Sequence, residues 1–362
     1  MTNKKARVIA IYLPQFHPFK ENNEWWGNGF TEWTNVAKAR PRYIGHYQPH
    51  IPADLGFYDL RLSETRIAQS DLATKYGIDG FCYYHYWFNG KVLMERPLEE
   101  ILESKEPDFP FMLCWANENW TRAWDGRDRQ VLIEQKYSEE DDYAHIKYLM
   151  PYLIDERYIK INGKPVIAIY RSTLLPNVNR TIEIWEEEAK KNGIELYIIR
   201  FESANIVGEK YMMNFKAAAE FQPISKNGYK YSILQRGVNK ICRLFGLESK
   251  IPTHIDYCKY VKYQKKHQLN VDYKRFPCVT PMWDNSPRRV GGSYFSFKNC
   301  HPKYYKRWLS FVLKNFEPYS SDENLVFINA WNEWAEGNHL EPDLKWGRQY
   351  LEATKQAVDE NL

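Results

Sequence analysis

Two glutamates three residues apart, Glu333 and Glu336, follow a short apolar run near the end of the chain. That run, residues 325–330, is typical of a buried strand, and Trp331 and Trp334 flank the first glutamate. A helical turn after a strand places side chains i and i+3 on one side, about 5–6 Å apart. Two carboxyls so close in a partly dry cleft cannot both ionise easily, so one keeps a proton while the other acts as a base. Cleavage of a glycosidic bond requires this division, whereas a pair of surface glutamates on a polar loop is the plain alternative.

A second cluster, residues 115–126, alternates hydrogen-bonding side chains with tryptophans. Asn117, Glu118 and Arg122 supply polar groups around Trp115 and Trp120. A sugar ring presents C–H faces with hydroxyls at its rim, so it packs on aromatic planes and seeks polar partners beside them. The pattern favours a carbohydrate pocket over an ordered polar loop without a ligand.

The carboxyl ends of other predicted strands also carry polar and aromatic side chains. Active sites of α/β sheets and barrels gather at these ends, so such side chains are candidates for substrate binding. His85 has a structural alternative as a hydrogen-bonded core histidine, and Arg288 has one as a salt bridge at the rim. The remaining candidates are Tyr12, His17, Trp26, Trp33, Trp87, Trp283, Asp284, Trp331, Asn332 and Trp334.

Short β-branched and aromatic runs alternate along the chain with amphipathic segments. Helix ends are marked by Ser138 before four acidic residues, by Pro97 at a helix start, and by Gly77 and Gly193 after helix ends. Near-continuous apolar strands between helices predict a parallel sheet buried on both faces, and eight such units predict a closed (β/α)8 TIM barrel. The predicted strands are residues 7–14, 78–88, 109–118, 164–171, 194–202, 216–223, 276–284 and 323–333.

The domain organisation follows from the same pattern. We expect a single catalytic domain over residues 1–362, although the length alone would also accommodate two domains. Residues 224–273 are the most irregular stretch and predict an insertion after the sixth strand. Residues 21–52 are rich in Gly, Asn, Pro and Trp, which predicts a long functional loop after the first strand.

The composition excludes several classes of protein. The formal net charge is only +4, from 50 basic and 46 acidic residues, which argues against nucleic-acid binding. The cysteines have no CxxC spacing and the histidines have no HxH or HExxH spacing, so we expect no metal. The sequence also lacks a phosphate-binding loop and a GxSxG motif, so we expect no cofactor. The first residues lack a signal-peptide core and no run is long enough to span a membrane. We therefore expect a soluble, cytoplasmic protein unless a leader has been removed.

The chain resembles WbsX-type proteins, which are similar to glycoside hydrolase family 99. The resemblance rests on motifs spread over nearly the whole sequence and is weakest between residues 205 and 273. The motifs are IYLPQFHP, NEWWGNGFTEWTNV, HYQPHIPADLGFYDLR, GIDGFCYYHYWFNGK, PFMLCWANENWTRAWDG, MWDNSPRR and INAWNEWAEGNHLEPD.

This resemblance implies a (β/α)8 barrel and endo-acting, retaining chemistry on α-mannosides. It implies that Glu333 is the base and Glu336 the acid, acting through a 1,2-anhydro sugar. The expected partner is therefore a carbohydrate substrate with a 1,2-trans bond, as in an α-mannoside or α-rhamnoside of a bacterial poly- or oligosaccharide. Two alternatives stay open, a glycosyltransferase of O-antigen or capsule synthesis and a non-catalytic carbohydrate-binding barrel. The sequence does not predict the oligomeric state.

Overall fold

The computed structural model describes residues 6–122, 127–203, 206–223, 237, 240–241, 252–289 and 294–361, with the backbone alone at 127–129. Half of the predicted insertion at 224–273 lies outside these residues. Its described part contains a short strand, Thr253–Asp256, followed by a helix.

Eight parallel strands form the centre of the described structure, which confirms the predicted (β/α)8 barrel. Their order around the sheet follows the chain, since each strand pairs with its sequence neighbours and β1 also pairs with β8. The strands are β1 Arg7–Tyr12, β2 Gly80–Phe88, β3 Phe111–Trp115, β4 Lys164–Ile169, β5 Tyr197–Glu202, β6 Ala217–Glu220, β7 Arg275–Phe276 with Cys278–Val279, and β8 Leu325–Ile328.

The seventh strand closes the barrel in two short pieces. Its first piece pairs with β6 and its second with β8, and Pro277 lies between them. Proline has no backbone N–H to donate to a neighbouring strand, which explains the interruption. The strand is also shorter than predicted, because residues after Val279 leave the sheet and form a loop that contains the turn Ser286–Arg288.

Helices surround the barrel, and several begin or end where the sequence predicts, but two short helices, Lys20–Trp26 and Glu32–Lys38, occupy part of residues 21–52, which were predicted to form a long loop. The hydroxyl of Ser138 accepts a hydrogen bond from the Asp141 N–H at the start of the helix Glu139–Leu153, and Asn177 caps the helix Val178–Lys191 in the same way. Gly77 and Gly193 follow the helices Ser63–Lys75 and Val178–Lys191 with positive φ angles, as expected of residues that end a helix. The helices are α1 Lys20–Trp26, α2 Glu32–Lys38, α3 Ser63–Lys75, α4 Arg96–Ser104, α5 Glu139–Leu153, α6 Val178–Lys191, α7 Tyr257–His267, α8 Pro302–Asn315 and α9 Gln349–Asp359.

The core lies between the strands and this ring of helices, and the barrel strands are buried on both faces. The loops after the strands add small two-stranded sheets, of which Asn332–Glu333 with Asn338–His339 concerns the site below. Among the helices of the described part, none has the length and apolar character needed to cross a bilayer.

Candidate active site

A cavity of about 460 Å³ lies at the carboxyl ends of the barrel strands. Glu333 and Glu336 both line it, together with Arg288 from the loop after β7. Its wall combines charged groups with aromatic rings, which suits a polar ligand that also has apolar faces. Strands β2 and β4 contribute Tyr84, Tyr86 and Tyr170, and the loop after β1 contributes Leu13 and Gln15.

One guanidinium group holds three carboxylates at this cavity. Nη2 of Arg288 lies 2.7 Å from Oε2 of Glu333, and its Nη1 lies 2.7 Å from Oε1 of Glu336. Its Nε donates to Oε1 of Glu32, the first residue of α2, at 2.8 Å. Neighbouring nitrogens of one planar group therefore set the relative positions of the two glutamates.

The two glutamates lie on a tight hairpin that follows β8. Asn332–Glu333 pairs antiparallel with Asn338–His339, and a single turn, Trp334–Glu336, joins the two strands. Gly337 ends that turn with φ +52°, and a Cβ there would lie 3.0 Å from the Cβ of Asp284. The Asp284 N–H donates to the Glu336 carbonyl at 2.6 Å. Only glycine therefore allows the loop after β7 to approach the hairpin so closely.

Electrostatics in the cavity favour one retained proton. Burial raises the pKa of Glu333 to about 8, and the charges of Glu336 and Glu32 add to this against the opposing effect of Arg288. Burial also raises the pKa of Glu336. Three ionised carboxylates around one guanidinium would carry a net charge of −2, so protonating a glutamate relieves repulsion in a poorly solvated site. The glutamate pair therefore holds a proton more strongly than two solvent-exposed glutamates would.

A second charged group forms the opposite part of the wall. Arg171, just after β4, donates through Nε to Oε1 of Glu118 at 2.8 Å and through Nη1 to the Ser203 hydroxyl. Its guanidinium also lies 4.5 Å from the centre of the Tyr170 ring. Since Glu118 is half-exposed, this ion pair faces solvent at the cavity wall and is available to sugar hydroxyls.

The structure brings six of the predicted site residues together at the cavity. The described lining includes both predicted catalytic glutamates and four of the predicted substrate-binding residues. These six residues are Glu118, Trp120, Trp283, Arg288, Glu333 and Glu336.

Five other predicted residues lie under the hairpin and support it from the protein interior. Asn332 exchanges two hydrogen bonds with the backbone of Leu13, at 2.7 and 3.0 Å, which joins the hairpin to the end of β1. The indole of Trp334 donates to Glu341 at 2.6 Å. The other three, Tyr12, Trp33 and Trp331, are buried among aromatic rings of the core.

Predicted residues of β2 and β3 point away from the cavity, toward α5. Nε2 of His85 lies 3.0 Å from Nε2 of His145, and the Trp87 indole donates to Asp141 at 2.9 Å. The Trp115 ring packs against His145 at a centroid distance of 4.6 Å. Burial lowers the pKa of His85 to about 3, so it is a neutral core histidine.

The remaining predicted residues lie outside the described lining of the cavity. Asn117 is fully buried and exchanges two hydrogen bonds with the Arg171 backbone, so it positions Arg171. The Arg122 guanidinium lies 5.2 Å from the Trp26 ring centre. His17 is buried, which lowers its pKa to about 4. Asp284 accepts hydrogen bonds from His46 and Gln48 behind the hairpin.

Sequence reasoning missed several residues that the structure places at the cavity, above all Tyr84 and Tyr86. They alternate along β2 with His85 and Trp87, which the prediction selected instead. Glu32 was also missed, although it lies in the motif NEWWGNGFTEWTNV, because a sequence gives no sign that a residue of α2 pairs with Arg288.

Solved structures that share this fold include glycoside hydrolases. A GH99 endo-α-mannosidase from Bacteroides thetaiotaomicron superposes with a TM-score of 0.57 at 15% identity, covering 98% of this chain and 97% of that one. A protein described as glycoside hydrolase-like gives a TM-score of 0.60 at 15% identity, covering 99% of this chain and 95% of that one. The fold is thus the (β/α)8 barrel that these proteins share.

Sequence comparison gives the family. The family model described as glycosyltransferase WbsX matches residues 8–354. WxcX proteins from two strains of Xanthomonas campestris pv. campestris are each 39% identical over 354 residues, covering 98% of this chain and 50% of the relative. The chain therefore belongs to the WbsX family, as its motifs predict, and spans about half the length of the curated relatives it matches.

Proposed function

We propose that this protein is a retaining glycoside hydrolase that cleaves a 1,2-trans bond, of the α-mannoside or α-rhamnoside type, in a bacterial poly- or oligosaccharide. The observation that carries the proposal is the pair Glu333 and Glu336, which share Arg288 at the wall of one strand-end cavity. Two carboxyls that share a proton can act as acid and base in the same step. Aromatic rings around them provide surfaces for the C–H faces of a sugar.

The proposed reaction has two balanced steps. In the first, Glu333 removes the proton of the sugar 2-hydroxyl, O2 attacks C1, and the bond from C1 to the leaving oxygen breaks as Glu336 protonates that oxygen. The product is a 1,2-anhydro sugar. In the second, Glu336 removes a proton from water, the water oxygen attacks C1, and Glu333 returns its proton to O2. The configuration at C1 is retained after two inversions.

Conservative substitutions test the pair. Glu333→Gln and Glu336→Gln keep the size of each side chain but remove its acid–base capacity, and each should lower turnover by about 10²–10⁴-fold. Glu352→Gln, on the exposed face of α9, is the matched control and should keep wild-type turnover. Product analysis by mass spectrometry, on α-mannans and rhamnans without any nucleotide sugar, provides the assay. Full activity in both glutamine variants on a true substrate would contradict the proposal.

A glycosyl fluoride separates the two roles, because fluoride leaves without a proton from an acid. With Glu336 as acid, Glu336→Gln should retain cleavage of the fluoride far better than cleavage of the polysaccharide. Glu333→Gln should lose both. The raised pKa of Glu333 suits a strong base once it is deprotonated. The reverse pattern in the two variants would exchange their roles.

A glycosyltransferase is the second candidate, and the printed description of the family favours it. The sequence contains no DxD motif of the kind that holds the metal of a nucleotide sugar. A panel of nucleotide sugars in a thermal-shift assay distinguishes the two functions. Stabilisation by a donor, with extension of an acceptor only when that donor is present, would support the transferase. A non-catalytic binding barrel would instead bind saccharides equally well in both glutamine variants.

A further inference from the structure

A second cavity, of about 350 Å³, lies behind the catalytic hairpin. Gly337 and Trp283 belong to its wall, and Trp283 also lines the cavity with the two glutamates. His50 lines this second cavity as well. The proposed hydrolase chemistry does not use His50 or the residues in contact with it, although they lie in two motifs of the family resemblance, HYQPHIPADLGFYDLR and INAWNEWAEGNHLEPD.

Three buried side chains converge there from two distant parts of the chain. Nδ1 of His50 lies 2.9 Å from Nε2 of His339, and that Nε2 lies 3.8 Å from Oδ2 of Asp343. Each residue offers one ligand atom within 4.8 Å of the other two. Bonds of about 2.0–2.1 Å to a tetrahedral metal ion would place its ligand atoms about 3.3 Å apart, so small shifts bring the three to coordination distance.

Hydrogen bonds around His339 and Asp343 orient their free electron pairs inward, whereas Nδ1 of His50 donates its proton to Nε2 of His339 and must lose that proton to bind a metal ion. Nδ1 of His339 lies 2.8 Å from the carbonyl oxygen of Glu341, which can only accept, so Nδ1 carries the proton and Nε2 a lone pair. A backbone carbonyl on the second nitrogen is the usual support of a metal-binding histidine. Oδ1 of Asp343 accepts from the N–H groups of Lys345 and Trp346, whereas its buried Oδ2 accepts no hydrogen bond of standard geometry in the described structure. The Tyr47 hydroxyl interacts with this carboxylate, and burial and the carboxylate charge together raise the pKa of Tyr47.

We propose that His50, His339 and Asp343 form a binding site for one first-row transition-metal dication of the Zn²⁺ or Fe²⁺ type. Two imidazole nitrogens with one carboxylate suit such ions, while Ca²⁺ and Mg²⁺ prefer sites made of oxygen atoms. The cavity beside His50 leaves a fourth position open to water. The nearest opposing charge at this cavity is Lys345, whose Nζ lies 4.4 Å from the Tyr47 ring centre.

A metal ion at this position would brace the catalytic hairpin. His339 lies opposite Asn332 in the two-stranded sheet of that hairpin, and the Trp334 ring stacks on the His339 ring at 3.8 Å. His50 belongs to the loop between α2 and α3, and Asp343 to the loop before α9. The ion would therefore join both loops to the element that carries Glu333 and Glu336, without contacting the reacting sugar.

Metal binding is measured directly and does not depend on any enzymatic activity. The purified protein is stripped with a chelator and then titrated with Zn²⁺, with Fe²⁺ under anaerobic conditions, and with Ca²⁺ and Mg²⁺. We expect one equivalent of Zn²⁺ or Fe²⁺ to bind and to raise the thermal midpoint with concentration, and no such effect of Ca²⁺ or Mg²⁺.

Two variants and a matched control locate the site. Asp343→Asn keeps an oxygen for the Lys345 and Trp346 N–H groups but replaces Oδ2, and His50→Gln removes one nitrogen; each should weaken binding at least about tenfold. His267→Gln, at the exposed end of α7, should bind like the wild type. If the first two variants fail to fold, the visible spectrum of the Co²⁺-loaded wild type decides, because nitrogen ligation intensifies its bands above those of aqueous Co²⁺. Absence of stoichiometric binding, or equal binding in all folded variants, would overturn the proposal and leave a hydrogen-bonded histidine pair. The proposed hydrolase function does not depend on this result, because it is tested by its own assay.

Discussion

The raised pKa of Glu333 should make the stability of the protein depend on pH, and Glu333→Gln should remove the contribution of this carboxyl to that dependence. In the unfolded chain this carboxyl titrates near its ordinary value of 4.5, and in the folded protein burial raises its pKa to about 8. Between these two values the folded state binds more protons than the unfolded state, so the free energy of unfolding falls as pH rises. One such group contributes a slope of up to about 1.4 kcal/mol per pH unit.

The magnitude follows from the width of that interval. Over the range from 4.5 to about 8 the loss is on the order of a few kcal/mol, shared between the interacting carboxyls of Glu333 and Glu336, against the 5–15 kcal/mol typical of a folded domain. Glutamine carries no ionisable proton and still leaves Arg288 paired with Glu32 and Glu336. Glu333→Gln should therefore become progressively more stable than the wild type as pH rises from 5 to 8.

Urea unfolding followed by circular dichroism at pH 5.0, 6.5 and 8.0 provides the measurement. The quantity compared is the difference in unfolding free energy between variant and wild type at each pH. Glu352→Gln, with its exposed carboxyl, should run parallel to the wild type. Parallel curves for Glu333→Gln and the wild type would refute the argument, because they would mean that Glu333 ionises alike in the folded and unfolded states.

Four further substitutions test how the site is built. Gly337→Ala should lower the free energy of unfolding by about 1–3 kcal/mol in urea titrations and reduce turnover. The φ of +52° at this position is strained for alanine, and the added Cβ would crowd Asp284. Unchanged values would show that the loop after β7 can move away. Tyr86→Ala should weaken saccharide binding by calorimetry, because Tyr86 lines the cavity. Trp87→Phe, which loses the bond to Asp141 and part of a buried ring, should lower stability by about 1–3 kcal/mol at unchanged affinity. The opposite result would contradict the inward direction of Tyr86. Arg288→Lys should lower kcat more than it raises KM in steady-state assays, because one ammonium cannot bridge three carboxylates in the fixed geometry of the guanidinium. A wild-type kcat in this variant would show that the contacts of the guanidinium with the three carboxylates are dispensable.

Much of the fold could be predicted because its signals are local. Apolar strands buried on both faces give continuous hydrophobic runs, and capping residues such as Ser138 and Gly193 mark helix ends without reference to the rest of the chain. The two glutamates could be found for a similar reason, since their spacing and position after a strand are visible in one segment. The length of β7 could not be predicted, because the apolar run continues past the point where the chain leaves the sheet.

The direction of side chains along a strand was the main limit at the site. A strand buried on both faces has apolar and aromatic residues at every position, so its sequence does not tell which alternate set points into the barrel. For this reason the prediction chose His85 and Trp87, whereas Tyr84 and Tyr86 line the cavity. Contacts between distant segments were the second limit, since the pairing of Glu32 with Arg288 exists only after folding.

The proton retained by the glutamate pair bears on the choice between hydrolase and transferase. A nucleotide sugar releases a phosphate, which leaves without protonation by an acid, whereas a sugar–sugar bond releases an alkoxide, which must gain a proton as it departs. A site that raises the pKa of both its carboxyls stores the proton that only the second reaction needs. The raised pKa of both carboxyls therefore supports our proposal that the protein hydrolyses a glycosidic bond, despite the name under which the family is described. For the same reason, Glu336 should contribute little to the cleavage rate of a donor with a good leaving group. The glycosyl fluoride assay tests this expectation.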